Sequence, residues 1–155
     1  RAIDAGVFSC VLESSGLTPG LEPIGAAPRR ENLVSLDLSA CVSLRRLGDR
    51  AFCGWSALRS IVLPPGLEEM GRRSLSDCPK LEQVNLRACV SLRRIGFGTF
   101  RSCDALESMH LPLAIEEIAD RALSKCPKLV TVDLDACRSL RRIGEEAFET
   151  CATLT

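Results

Sequence analysis

Apolar residues return at fixed offsets along most of this chain. From Leu44 the series runs Leu44, Leu47, Phe52, Leu58, Ile61, Leu63, and 23 residues later it restarts as Leu67, Met70, Leu75, Leu81, Val84, Leu86. It continues as Leu92, Ile95, Phe100, Leu106, Met109, Leu111 and then as Ile115, Ile118, Leu123, Leu129, Val132, Leu134. Steps of 23 and 25 residues alternate, so the full period is 48, and the runs CVSLRR at Cys41 and Cys89 are matched by CRSLRR at Cys137. A segment this short cannot bury an apolar side alone. Successive coils must stack and share one elongated core, which predicts a solenoid. The whole chain, 1–155, reads as one domain of about six to seven coils.

Within each coil the L-x-x-V-x-L stretch alternates in and out, as a short strand does. Strands are predicted at Leu33–Leu38, Leu58–Leu63, Leu81–Leu86, Leu106–Leu111 and Leu129–Leu134, pairing in parallel because every coil runs the same way. Pro64, Pro65, Gly66 and Pro112 end strands and turn the chain. The segments Gly48–Trp55, Gly71–Cys78, Gly96–Cys103, Ala119–Cys126 and Gly144–Cys151 have helical spacing and predict short helical turns on the opposite side. Residues 33–155 form the regular repeats, whereas 1–32 read as degenerate coils in which only Leu17-Thr-Pro-Gly-Leu21 echoes the LPPGL at Leu63. Ile3 to Phe8 has the spacing of Leu47 to Phe52, and Leu154 stops where a strand is due. Neither end reads as a cap, so a fragment of a longer chain, or ends covered by partners, is expected.

The outward positions of the strands make two columns. One holds Ser35, Ser60, Gln83, Ser108 and Thr131, all uncharged and polar, and the other holds Asp37, Val62, Asn85, His110 and Asp133. A partner protein is expected to contact Asp37, Val62, Asn85, His110, Asp133, Gln83 and Thr131. A third pattern lies after the strands. Arg45-Arg46, Glu68-Glu69, Arg93-Arg94, Glu116-Glu117 and Arg141-Arg142 occupy one repeat position with alternating sign. At roughly 5 Å per coil these charges meet, and a slip of one coil would set like against like. The ladder is expected to neutralise itself rather than to dock anions.

Charge is balanced, 20 basic against 20 acidic residues, so no global field draws nucleic acid or an anionic membrane. No apolar run approaches the roughly 20 residues that span a bilayer. Nine cysteines invite a disulfide or zinc reading, but there is no C-x-x-C pair and His110 is the only histidine. Cys41, Cys89 and Cys137 lie two coils apart, roughly 10 Å, beyond the ~7 Å a disulfide allows. Cys78, Cys103, Cys126 and Cys151 share one position on neighbouring coils, with Trp55 in their line. Small, buried, reduced thiols are expected, and with them a reducing, intracellular compartment. His110 beside Asp133 has the makings of an oriented base, yet no nucleophile motif, phosphate loop or metal cluster accompanies it. No catalytic residue, cofactor or metal is assigned.

The run I-G-x-x-A-F-x-x-C-x-x-L-x-x-V-x-L-P appears here as LGDRAFCGWSALRSIVLP and IGFGTFRSCDALESMHLP. It resembles the BspA-like leucine-rich repeats over nearly all of the chain from Leu33. The resemblance implies a right-handed α/β solenoid, with a parallel sheet on the concave face and helical turns on the convex face. It also implies a non-catalytic protein-binding module, as a scaffold or subunit of a larger assembly. A cell-surface adhesin or antigen is the alternative that family implies. DLSAC and NLRAC are similar to the cysteine-containing repeats of F-box substrate receptors, which makes substrate recognition in a ubiquitin ligase a further alternative.

Overall fold

A computed structural model describes residues 33–154. The reading of 1–32 as degenerate coils, and any coil count that includes them, lies outside the described residues. Five strands, β1 (Ser35–Asp37), β3 (Ser60–Val62), β5 (Gln83–Asn85), β7 (Ser108–His110) and β9 (Thr131–Asp133), form one parallel sheet in chain order. They occupy the centres of the five L-x-x-V-x-L stretches. Period-2 alternation puts Leu36, Ile61, Val84 and Met109 inward, each no more than 4% exposed, and the polar columns outward. Full burial of each such side chain contributes about 1.5–3 kcal/mol. The flanking leucines close the same core, which runs unbroken from Leu33 to Leu129 and beyond.

A second parallel sheet was not predicted. It consists of the two-residue strands β2 (Arg46–Leu47), β4 (Glu69–Met70), β6 (Arg94–Ile95), β8 (Glu117–Ile118) and β10 (Arg142–Ile143). Leu47, Met70, Ile95 and Ile118 are fully buried beneath it. A two-residue strand shows no alternation to read, and Arg and Glu are not residues that favour strands.

The helical turns are a correction. Among the described residues there is no helix. Residues 50, 73, 98, 121 and 146 share one repeat position, and 54, 77, 102, 125 and 150 share another. All ten adopt a left-handed backbone, with φ between 51° and 76°. Only Gly54 and Gly98 hold it without a Cβ penalty. Two left-handed residues four apart break any helix. They also turn alternate N–H groups toward the next coil. Arg50, Phe52 and Gly54 donate to the carbonyls of Arg72, Ser74 and Ser76 at 2.7–2.9 Å, and the set repeats from each coil to the next through Lys125 to Glu149. The helix-like apolar spacing therefore reports a third intercoil hydrogen-bond ladder. Its side chains Phe52, Leu75, Phe100 and Leu123 fill the core.

Candidate interaction surfaces

The first sheet holds the outward columns in register. Ser35 pairs with Ser60, Ser60 with Gln83, Gln83 with Ser108 and Ser108 with Thr131. In the second column Asp37 pairs with Val62, Asn85 with His110 and His110 with Asp133. Asp37, Val62, Asn85, Gln83 and Thr131 are exposed, and His110 and Asp133 are half-buried. The structure thus brings all seven predicted contact residues onto one face. They are not equivalent there. Asp37 Oδ1 accepts the Ser39 N–H at 2.8 Å, and Asn85 Oδ1 accepts the Arg87 N–H at 3.0 Å. These bonds close the turn that follows the strand, a role short polar side chains favour. The bond to Ser39 also holds the Asp37 carboxyl below its ordinary value.

Arg87 was missed by the sequence reading. Its Nη2 reaches past β7 to Asp133 Oδ2 at 2.7 Å. This bond, more than any other cause, keeps the Asp133 carboxyl ionised below the usual carboxylate range. The only sequence signal was an arginine in NLRAC where the equivalent coils of the 48-residue repeat carry Ser39 and Asp135 and the intervening coils carry Pro64 and Pro112. Asp133 is therefore tied to Arg87, which reaches over β7, and also stands beside His110 of β7. No group of three or more His, Cys, Asp or Glu suited to a metal occurs among the described residues.

The charge ladder lies along the outer face of the second sheet. Arg46, Glu69, Arg94, Glu117 and Arg142 are successive partners in register. Arg46 meets Glu69 at 3.5 Å, and Arg94 meets Glu69 at 3.8 Å and Glu117 at 3.3 Å. Arg142 meets Glu117 at 2.5 Å and Asp120 at 2.8 Å. Outside this row Arg45 lies 3.9 Å from Glu68, and Arg93 lies 2.6 Å from Glu116. Arg141 alone of the ten has no ion pair. The arginine side chains are 51–67% exposed, so each contact is worth at most about 1 kcal/mol. Glu117, at 25%, is the most enclosed member and has an arginine on both sides.

The eight described cysteines form no disulfide. Cys78, Cys103, Cys126 and Cys151 point their Sγ at the carbonyls of Phe52, Leu75, Phe100 and Leu123 in the preceding coil, at 3.2–3.3 Å. They fill the gap beneath the turn ladder and bond across it. Burial pushes the thiols of Cys78 and Cys89 up to about 11 and that of Cys126 to about 12.

Residues 29–155 match the BspA type leucine rich repeat region in six copies. No curated protein sequence matches the chain. Among solved structures, the chain is similar to a T. pallidum leucine-rich repeat protein at 28% identity and TM-score 0.49, over 79% of this chain and 64% of that one. It is similar to a leucine-rich repeat protein from Bacteroides ovatus at 23% identity and TM-score 0.52, over 79% of this chain and 36% of that one. A leucine rich cell surface protein from Faecalibacterium prausnitzii matches at 19% identity and TM-score 0.50, over 79% of this chain and 38% of that one. The chain thus spans less than two thirds of the length of each. Among the described residues no helix is long and apolar enough to cross a membrane. Two parallel sheets built from alternating 23- and 25-residue coils, together with the match over residues 29–155, lead to one assignment: this chain belongs to the BspA-type leucine-rich repeat family.

Proposed function

We propose that the chain is a non-catalytic protein-interaction module whose docking surface is the outer face of the first sheet. One observation carries this reading. Across five strands that face presents two registered columns of side chains, of which Val62, Gln83 and Thr131 make no ion pair or side-chain hydrogen bond. The outer face of the second sheet is consumed by its own ion pairs instead. Stacked coils commonly use an extended open sheet face for partners. Asp37, Asn85, His110 and Asp133 would frame the contact, with Asp37 and Asn85 also holding their turns. Reversing the charge of Asp37 and Asp133 is consequently a poor test, because it would disturb a turn and an ion pair as well.

The module is best placed at a cell surface, either alone or as one segment of a larger assembly. The F. prausnitzii structure carries that description. The cysteines lend little weight to an intracellular site. Thiols that are buried and hard to ionise resist oxidation in either compartment. No observation favours the ubiquitin-ligase reading.

The test is a comparison of two surface variants in a cell-binding or capture assay with the full-length protein. Gln83→Lys with Thr131→Lys should reduce binding at least tenfold, as expected for charges set into a desolvated contact. Arg93→Ala with Glu116→Ala, an ion pair beside the second sheet, should leave binding within twofold. Loss of binding in the second variant but not the first would overturn the assignment.

A further inference from the structure

The turn ladder carries a second surface of different chemistry. Six described arginines, Arg50, Arg72, Arg73, Arg101, Arg138 and Arg141, have no ion pair, although eight others do. Three of the six, Arg50, Arg72 and Arg73, line one open cleft of about 350 Å³ together with Asp49. That size lies at the low end of the roughly 300–1,000 Å³ of small-molecule sites. The Asp49 carboxylate is already engaged, since its Oδ1 accepts the backbone N–H of Arg72 at 2.8 Å. The Arg72 guanidinium lies 5.2 Å over the Phe97 ring, a contact that orients its fork of donors.

The repeat itself makes this arrangement unusual. Arg50 and Arg73 occupy the same position on adjacent coils. Further along, that position holds Arg121 and Glu146, which pair with each other. Like charges at one repeat position on neighbouring coils repel, whereas Arg46, Glu69, Arg94, Glu117 and Arg142 alternate in sign at theirs. Three arginines and one aspartate line the cleft, a surplus of two positive charges. A dianion with several acceptor oxygens would balance that surplus and offer acceptors to the arginine donors.

We propose that this cleft binds a phosphate monoester group. The site is independent of the first-sheet docking surface and stands or falls separately from it. Three arginines lining one open cleft supply more charge and more donors than a single carboxylate needs, and so suit a dianion with several acceptor oxygens.

The test is calorimetric titration with inorganic phosphate at low ionic strength and pH 7.5, on the intact protein. Saturable binding in the millimolar range or tighter is expected. Arg50→Gln with Arg72→Gln should weaken it at least tenfold. Arg138→Gln with Arg141→Gln removes two unpaired arginines outside the cleft and should leave it unchanged. Arg73→Lys keeps the charge but loses the fork, so it should weaken binding several-fold while the thermal transition stays in place. No saturation up to concentrations on the order of 10 mM would overturn the proposal. So would equal affinity in the Arg50/Arg72 variant, or full competition by chloride at matched ionic strength. Acetate binding as tightly as phosphate would overturn it in favour of a carboxylate ligand such as an acidic peptide.

Discussion

Truncating Phe100 to alanine is expected to destabilise the fold by about 3–5 kcal/mol, the cost of deleting a large buried ring and leaving a cavity. Phe100 is fully buried in the middle coil of the described stack. Its own carbonyl accepts the Cys126 thiol, and its N–H donates to Ala122, so the ring anchors the point where two coils are stitched together. In a solenoid each coil contacts only its neighbours. The damage should therefore appear as weakened coupling as well as lost stability. Urea unfolding of Phe100→Ala should show a lower midpoint and a shallower slope, as the coils before and after residue 100 begin to unfold separately. A loss under about 1 kcal/mol with an unchanged slope would mean that the core is not continuous through this coil.

Alkaline pH is expected to unfold the protein through its thiols. Cys78, Cys89 and Cys126 are fully buried, and that burial holds their ionisation at about 11, 11 and 12 against an ordinary value near 9. A group whose folded-state pKa is raised keeps its proton in the fold while the unfolded chain gives it up. Between those values the folded state binds more protons, so stability falls as pH rises. The stabilisation is intact below about 9 and is lost progressively toward 12. A tenfold difference in ionisation is worth about 1.4 kcal/mol. Three such thiols together cost the fold several kcal/mol once all are ionised. Burial raises Cys103, Cys137 and Cys151 in the same direction, and the chain has no tyrosine to compete with the thiols. Circular dichroism from pH 8 to 12 should show a transition above 9, and Cys78→Ala with Cys126→Ala should move it upward. A transition that does not move would assign the alkaline loss to other groups.

Much of this architecture was legible because one constraint repeats. A coil that must bury Leu58, Ile61 and Leu63 and then Leu81, Val84 and Leu86 leaves its periods in plain view, and the first sheet follows from them. The charge series Arg46, Glu69, Arg94, Glu117, Arg142 was equally readable as intercoil pairing. The strand beneath it was not, because two residues carry no periodicity. Apolar spacing at Phe52, Leu75, Phe100 and Leu123 suggested helices for a related reason. Spacing reports which side chains face the core and not where the N–H groups point. The left-handed residues that decide that question are mostly Arg, Asp, Ser, Lys, Glu and Thr, and only Gly54 and Gly98 announce themselves. On the candidate surface, column membership was visible for all seven residues. The turn bonds of Asp37 and Asn85 are local, each to the residue two further on, and went unread because the columns were read only for what they face outward. The reach of Arg87 to Asp133 depends on proximity across two strands.

The division of labour between the two sheets is the claim on which the functional reading rests: charges on the outer face of the second sheet are spent on ion pairs within the fold, whereas the uncharged column of the first sheet is available to a partner. Thermal unfolding of two single variants tests it most directly. Glu117→Lys removes the contacts with Arg94 and Arg142 and sets three cations in a row. It should cost roughly 1–2 kcal/mol, a drop of several degrees in Tm. Gln83→Lys, on the exposed column of the first sheet, should leave Tm within about a degree, as surface substitutions away from specific partners do. Equal losses in the two variants, or a larger loss for Gln83→Lys, would contradict the account.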